Sequence, residues 1–199
     1  MAKRLNWWAL VASLTAALLL GGFGCGEQGK VEQGRVIGFD KAKETVTLIV
    51  DTKHDTANPD YSGAPLSFAL PKDPMERGED PKVGMRMKLD TNTKEIVIYD
   101  PATKSMKNIT YTLIDQKEKV AKNSPLVADK KFPIVDKEKK AITVYSGRQK
   151  LLVTFSVPEE YMALPDNTWE AGDEVRIYYK EPGKAARFMN ITKTDIFKK

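Results

Sequence analysis

Beyond about residue 34, apolar and polar residues alternate with a period of two. The stretches VTLIV (46–50), MRMKL (85–89), EIVIY (95–99), AITVY (141–145), KLLVTFSV (150–157), EVRIYY (174–179) and ARFMNIT (186–192) all carry the pattern. Alternation of this kind puts every second side chain on one face of an extended strand. Clusters of turn-forming residues separate the stretches: Asp40–Glu44, Asp90–Thr93, Ser146-Gly147-Arg148 and Glu181-Pro182-Gly183. Short strands joined by such turns predict an all-β protein of small antiparallel sheets. Helix is expected only as single turns, at Pro158–Leu164 and Pro71–Gly78, where proline suits a first helical turn.

The two halves of the chain match each other in order. Asp40–Leu48 aligns with Asp136–Val144, and Phe68-Ala69-Leu70-Pro71 with Phe155-Ser156-Val157-Pro158. Val83–Met87 aligns loosely with Ala171–Ile177 through a glycine that opens a strand, and Lys107–Thr110 aligns with Met189–Thr192. Fixed-order self-similarity predicts two copies of one unit. The expected layout is a first β-barrel repeat over 34–113, a linker or connecting strand over 114–131, and a second β-barrel repeat over 132–199. Five or six strands in each copy suit a partly open barrel of OB-like or SH3-like form.

The first 33 residues follow a different pattern. Lys3 and Arg4 precede an uncharged apolar run from Trp7 to Leu20, then Gly21-Gly22-Phe23-Gly24, then Cys25, the single cysteine of the chain. The run is shorter than the roughly 20 residues a membrane-spanning helix needs, so it predicts an export signal over 1–24. An exported chain normally pairs its cysteines, and an unpaired one at the end of a signal needs another purpose. The segment resembles the lipobox of bacterial lipoproteins, in which a small residue precedes an acylated cysteine. Gly24 fits that pattern, whereas Gly22 and Phe23 stand where leucine and a small residue are usual. The resemblance implies cleavage before Cys25, diacylglycerol on its sulfur, and a tether over 25–33. Two or more acyl chains give stable anchoring without help from the protein surface. Gly26 stands where lipoproteins kept at the inner membrane carry aspartate, which favours a periplasm-facing position on the outer membrane. The ending, with Val175–Lys180 and Phe188–Lys193, resembles small envelope lipoproteins of diderm bacteria, and that likeness brings no activity with it.

Charge changes little. The net charge of +5 falls to +3 without Lys3 and Arg4, too weak a field for a nucleic-acid protein. Lys130-Lys131 and Lys137-Glu138-Lys139-Lys140 could approach acidic polymers or lipid headgroups, although β proteins commonly place lysine at turns and edges. The one histidine, His54, sits among Asp51, Asp55 and Asp60 in a polar loop, and reads as a solvated loop residue before a metal ligand. One histidine, no free thiol and no Gly-x-Ser-x-Gly argue against nucleophilic catalysis, and no phosphate- or dinucleotide-binding glycine pattern occurs. No cofactor is expected.

Trp169, with Tyr161 and Met162 shortly before it, forms the one aromatic loop expected to grip a ligand or partner. The sequence therefore predicts a non-enzymatic envelope lipoprotein that contacts membrane lipid through Cys25 and binds an envelope protein or surface polymer. A small-ligand or carbohydrate-binding protein with its site at the Trp169 loop is the first alternative. A wall-polymer hydrolase using paired carboxylates, with Glu159-Glu160 or Asp73, Glu76, Glu79 and Asp80 as candidates, is the second.

Overall fold

The computed structural model describes residues 28–55 and 58–194. The expected signal segment, Cys25 and the start of the tether lie outside the described residues. Among the described residues the fold is all-β, with twelve strands in three antiparallel sheets.

The first sheet contains β1 (Lys30–Asp40), β2 (Thr45–Val50), β3 (Pro65–Ala69), β11 (Glu174–Tyr179) and β12 (Ala185–Asn190), in the order β12-β11-β1-β2-β3. The second contains β4 (Arg86–Asp90), β5 (Glu95–Asp100) and β6 (Ser105–Thr110) in sequence order. The third, ordered β7-β10-β9-β8, contains β7 (Thr112–Lys117), β8 (Ile134–Asp136), β9 (Ala141–Ser146) and β10 (Leu151–Ser156). One helical turn, α1 (Glu159–Met162), and 3-10 turns at Pro74–Glu76 and Asp166–Trp169 complete the elements.

Alternation along the strands feeds three apolar clusters. Inside the curl of the first sheet, Val36, Val46, Leu48, Phe68, Val175, Ile177 and Phe188 pack together, with the Phe68 and Tyr179 rings 5.0 Å apart. On that sheet's other side, Ile49 and Tyr61 meet Met87 and Tyr99 of the second sheet. The second sheet's far face sends Leu89, Ile96, Ile98 and Ile109 against Ile142, Val144, Val153 and Phe155 of the third. Strand β5 thus lies in a middle layer: Ile96 and Ile98 enter one cluster, Val97 and Tyr99 the other. A strand buried on both faces reads as a nearly continuous apolar run, as EIVIY does.

The expected barrels do not form. Among the described residues none of the sheets closes on itself. The first sheet comes nearest: its edges β3 and β12 curl together until the Ala69 N–H donates to the Gly183 carbonyl at 2.8 Å. The gap beyond is filled by residues 71–80, with the Gly78 N–H bonded to the Phe188 carbonyl at 2.9 Å. Closure fails because the partner of β1 comes from far along the chain. Lys30–Arg35 pair residue by residue with Tyr179–Glu174 of β11, so strands of both expected units share one sheet. This pairing also starts β1 at Lys30, inside the expected tether. The expected linker contributes β7, which pairs with β10. It then folds back on the third sheet with Val120 and Val127 buried.

The shared arrangement turns on a close backbone crossing. The Val36 N–H donates to the Asp173 carbonyl at 2.9 Å, and the Gly84 N–H to the Val36 carbonyl at 3.2 Å. A Cβ on Gly172 would stand 2.0 Å from the Val36 oxygen, and one on Gly84 2.4 Å from the Glu170 oxygen, so both positions require glycine.

Candidate functional site

Beside this crossing the chain builds a cleft of about 630 Å³. Its base is set by the start of β4. The Met85 N–H donates to the Asn167 carbonyl at 3.2 Å and the Arg86 N–H to the Glu170 carbonyl at 2.9 Å, which fixes the strand against the turn Asp166–Trp169. Arg86 is 6% exposed, and its Nε–H donates to the Trp169 carbonyl at 2.9 Å. Among the described residues no acceptor meets its two Nη groups, and the side chain lines the cleft. Burial, reinforced by nearby Arg35 and only partly offset by Glu170, lowers its pKa to about 9. The guanidinium is therefore still charged at neutral pH.

The walls come from three segments. The stretch after β7 is pinned by the Val120 N–H to the Lys150 carbonyl at 2.8 Å and by the Tyr145 hydroxyl to the Val120 carbonyl at 2.9 Å. This brings Lys130, Lys131 and Phe132 to the rim, opposite Lys82, Glu170 and Ala171. Lys82 is ion-paired with Glu170. The lining thus holds four cationic side chains and one carboxylate, and its half-buried rings Phe132 and Tyr145 meet with centroids 6.0 Å apart and planes tilted by 47°. Such a surface suits an anion with a flat apolar face.

A second polar cluster lies between the first sheet and its neighbours. Buried Gln33 donates to Glu174 at 2.9 Å and accepts from Arg176 at 2.8 Å, and Arg148, from the β9–β10 turn, pairs with Glu174. Arg35 sits 4.5 Å from the Tyr61 ring centre and donates to the Arg86 and Met87 carbonyls at 3.0 and 2.7 Å. Burial lowers the Arg35 pKa and raises that of Tyr61. Gln33, Arg148, Arg176 and Glu174 answer one another, while Arg35 is held by two carbonyls and a ring with its Nε left without a hydrogen-bond partner, and the cluster ties sheets together.

The expected aromatic loop is part of the interior. Trp169 is fully buried, packed edge-on against Phe155 at 6.2 Å, and reaches the cleft only as part of its lining. Met162 is buried in the same cluster, and Tyr161 packs against it half-buried. The three residues therefore share a core, with no exposed gripping loop. His54 lies 4.0 Å from Glu32, while Asp51 is buried and accepts from the Lys53 and Asp60 N–H groups, holding the loop. The candidate acids are dispersed: Glu159 pairs with Lys140, Glu76 with Arg187, Glu79 with Lys193, and Asp80 with Arg77 and Lys41. Among the described residues no group of His, Cys, Asp and Glu has the arrangement of a metal site, and no helix is long and apolar enough to cross a membrane. Sequence reading marked Lys130-Lys131 but missed Arg86, which alternation in MRMKL assigns to the polar side of a strand.

A family model described as a domain of unknown function, DUF4881, matches residues 27–199. The chain belongs to the DUF4881 family. The match takes in every element of the cleft of this DUF4881 protein, from β4 to the turn before β11. No curated protein and no solved structure matches the chain.

Proposed function

We propose that this DUF4881 protein is a non-enzymatic binding module of the bacterial envelope, held on the membrane through acylated Cys25 and facing the periplasm. It presents the Arg86 cleft to an envelope protein or surface polymer. The observation that carries the binding role is buried Arg86, whose Nη groups face a cleft with a surplus of positive charge. Burying a guanidinium without a carboxylate partner costs several kcal/mol, which an arriving anion offsets. The lipobox-like segment supports the anchor, and β1 begins at Lys30, so a short spacer would keep the fold close to the bilayer. The two halves read as copies of one unit that share strands. In support, Asp40–Leu48 and Asp136–Val144 each take in a hairpin turn and the strand after it, and Phe68 and Phe155 each lie near the end of a strand.

Intact mass of the membrane-extracted protein tests the anchor. A mass that starts at residue 25 and includes acyl chains, lost in Cys25→Ala, is expected; an unmodified full-length chain would remove the envelope assignment. A photo-crosslinker placed at position 131 tests the cleft in cells. Capture of an envelope component there, and not from the exposed position 53, is expected; equal capture from both positions counts against the cleft.

A further inference from the structure

Resting on that reading, we infer that the cleft seats an acidic saccharide, with the sugar's carboxylate drawn to Arg86 and the lysine pair and its ring laid against Phe132. Three features converge on this chemistry. The first is the unmatched charge: Arg86, Lys130 and Lys131 have no carboxylate partner among the described residues, whereas Lys82 is taken by Glu170. A planar guanidinium with two open Nη groups matches a carboxylate in geometry as well as in charge.

The second feature is the aromatic corner. Phe132 and Tyr145 are each half-buried and meet at 47°, so they give the cleft an apolar wall beside the charges. The C–H groups on a sugar face carry partial positive charge that suits the negative face of an aromatic ring. The Tyr145 hydroxyl is already bonded to the Val120 carbonyl, which holds that ring in place before any ligand arrives.

The third is the size of the cleft. Several lysines elsewhere are paired with neighbouring acids, as in Lys41–Asp80, Lys88–Asp90, Lys107–Asp100 and Lys184–Glu181. A long nucleic acid needs a basic track along its backbone, and this cleft is short. A volume of about 630 Å³ lies within the range of small-ligand sites and holds a few sugar units.

Titration calorimetry on the full chain in detergent tests the assignment. The probes are trigalacturonate, its methyl ester, inorganic phosphate and a thymidine oligonucleotide. Trigalacturonate is expected to bind at one site, and the neutral ester at least about tenfold more weakly, a difference of about 1.4 kcal/mol. The double variant Lys130→Glu/Lys131→Glu, changed only at exposed side chains, should lose at least about tenfold in affinity with its Tm unchanged. Phe132→Ala should weaken trigalacturonate and leave phosphate binding as it was. Arg86→Gln should abolish binding; where it also lowers Tm, the lysine double variant decides. Equal binding of the ester, undiminished binding by the double variant, phosphate as strong as trigalacturonate, tighter binding of the oligonucleotide, or no binding of any probe would each overturn the assignment. Crosslinking at position 131 that persists while the saccharide fails would leave the envelope-binding reading standing without this ligand. Failure of both would end both.

Discussion

An indole placed at the end of a 3-10 turn can face outward or close the core beneath it, and the choice rests on its neighbours. At Trp169 the Phe155 ring, Met162 and the apolar face of the second sheet make one continuous cluster, and the indole fills it. Removing it should be expensive. Trp169→Ala is expected to lower unfolding free energy by about 3–5 kcal/mol, measured from urea midpoints. With Trp7 and Trp8 replaced by phenylalanine, the emission of Trp169 should resist quenching by iodide. A variant as stable as the parent would return the residue to the surface. The sequence made the aromatic group legible as a unit, because Tyr161, Met162 and Trp169 do pack together. It could not show which way the group faces, since exposure depends on Phe155 and on a sheet formed by residues 86–110. Arg86 was hidden for the opposite reason. Polar residues in an alternating strand normally face water, as Lys88 does, but at the start of β4 Arg86 and Met87 are both buried.

The hairpin turns are the most legible elements. Those after β1, β4, β5 and β8 each open on an aspartate and end on a residue with positive φ: Glu44, Lys94, Lys104 and Lys140. Asp90 takes the Lys88 ammonium and the Thr93 and Asn92 N–H groups, and its pKa is lowered to about 2. Asp100 takes the Lys107 ammonium, then the Ala102 N–H and the Thr103 hydroxyl, and also falls to about 2. Both lie below the ordinary 3.8, so the folded state holds these protons more weakly than the unfolded state does. Their contribution is therefore complete above about pH 4 and is lost as pH falls towards about 2. Stability should decline through that window, and the double variant Asp90→Asn/Asp100→Asn should start lower at pH 7 and decline less. Urea midpoints at pH 7, 4, 3 and 2 check this; parallel curves for parent and variant would contradict it. Turns were readable because their signals are local: an aspartate to accept and a lysine-rich tip. Strand partners were not, because β1 and β11 are specified only by complementary faces more than a hundred residues apart.

At the scale of the molecule, that distant pairing makes the chain indivisible. β11 and β12 supply Val175, Ile177, Tyr179 and Phe188 to the cluster whose other half comes from β1, β2 and β3. A chain ending at Pro165 keeps the whole of the first expected unit, yet leaves β1 with a bare edge and that cluster half empty. It is expected to lose the cooperative unfolding transition of the full chain, followed by circular dichroism. A truncated chain that unfolds as sharply as the parent would show that the first unit stands alone. Period-two alternation was enough to foresee an all-β protein of short antiparallel strands. It was not enough to foresee three open sheets, because closure depends on which strand lies at each edge, and the edge of β1 is taken by the last hairpin.

The same pairing sets an order of events during synthesis. A ribosome makes β1 and its neighbour β2 long before β11, so through most of that interval β1 carries one paired edge and one open edge whose partner does not yet exist. Contacts this distant close slowly. A half-made chain therefore cannot complete the first sheet until the hairpin of β11 and β12 has been made. That hairpin acts as a latch that closes only after the rest of the sheet has been laid down.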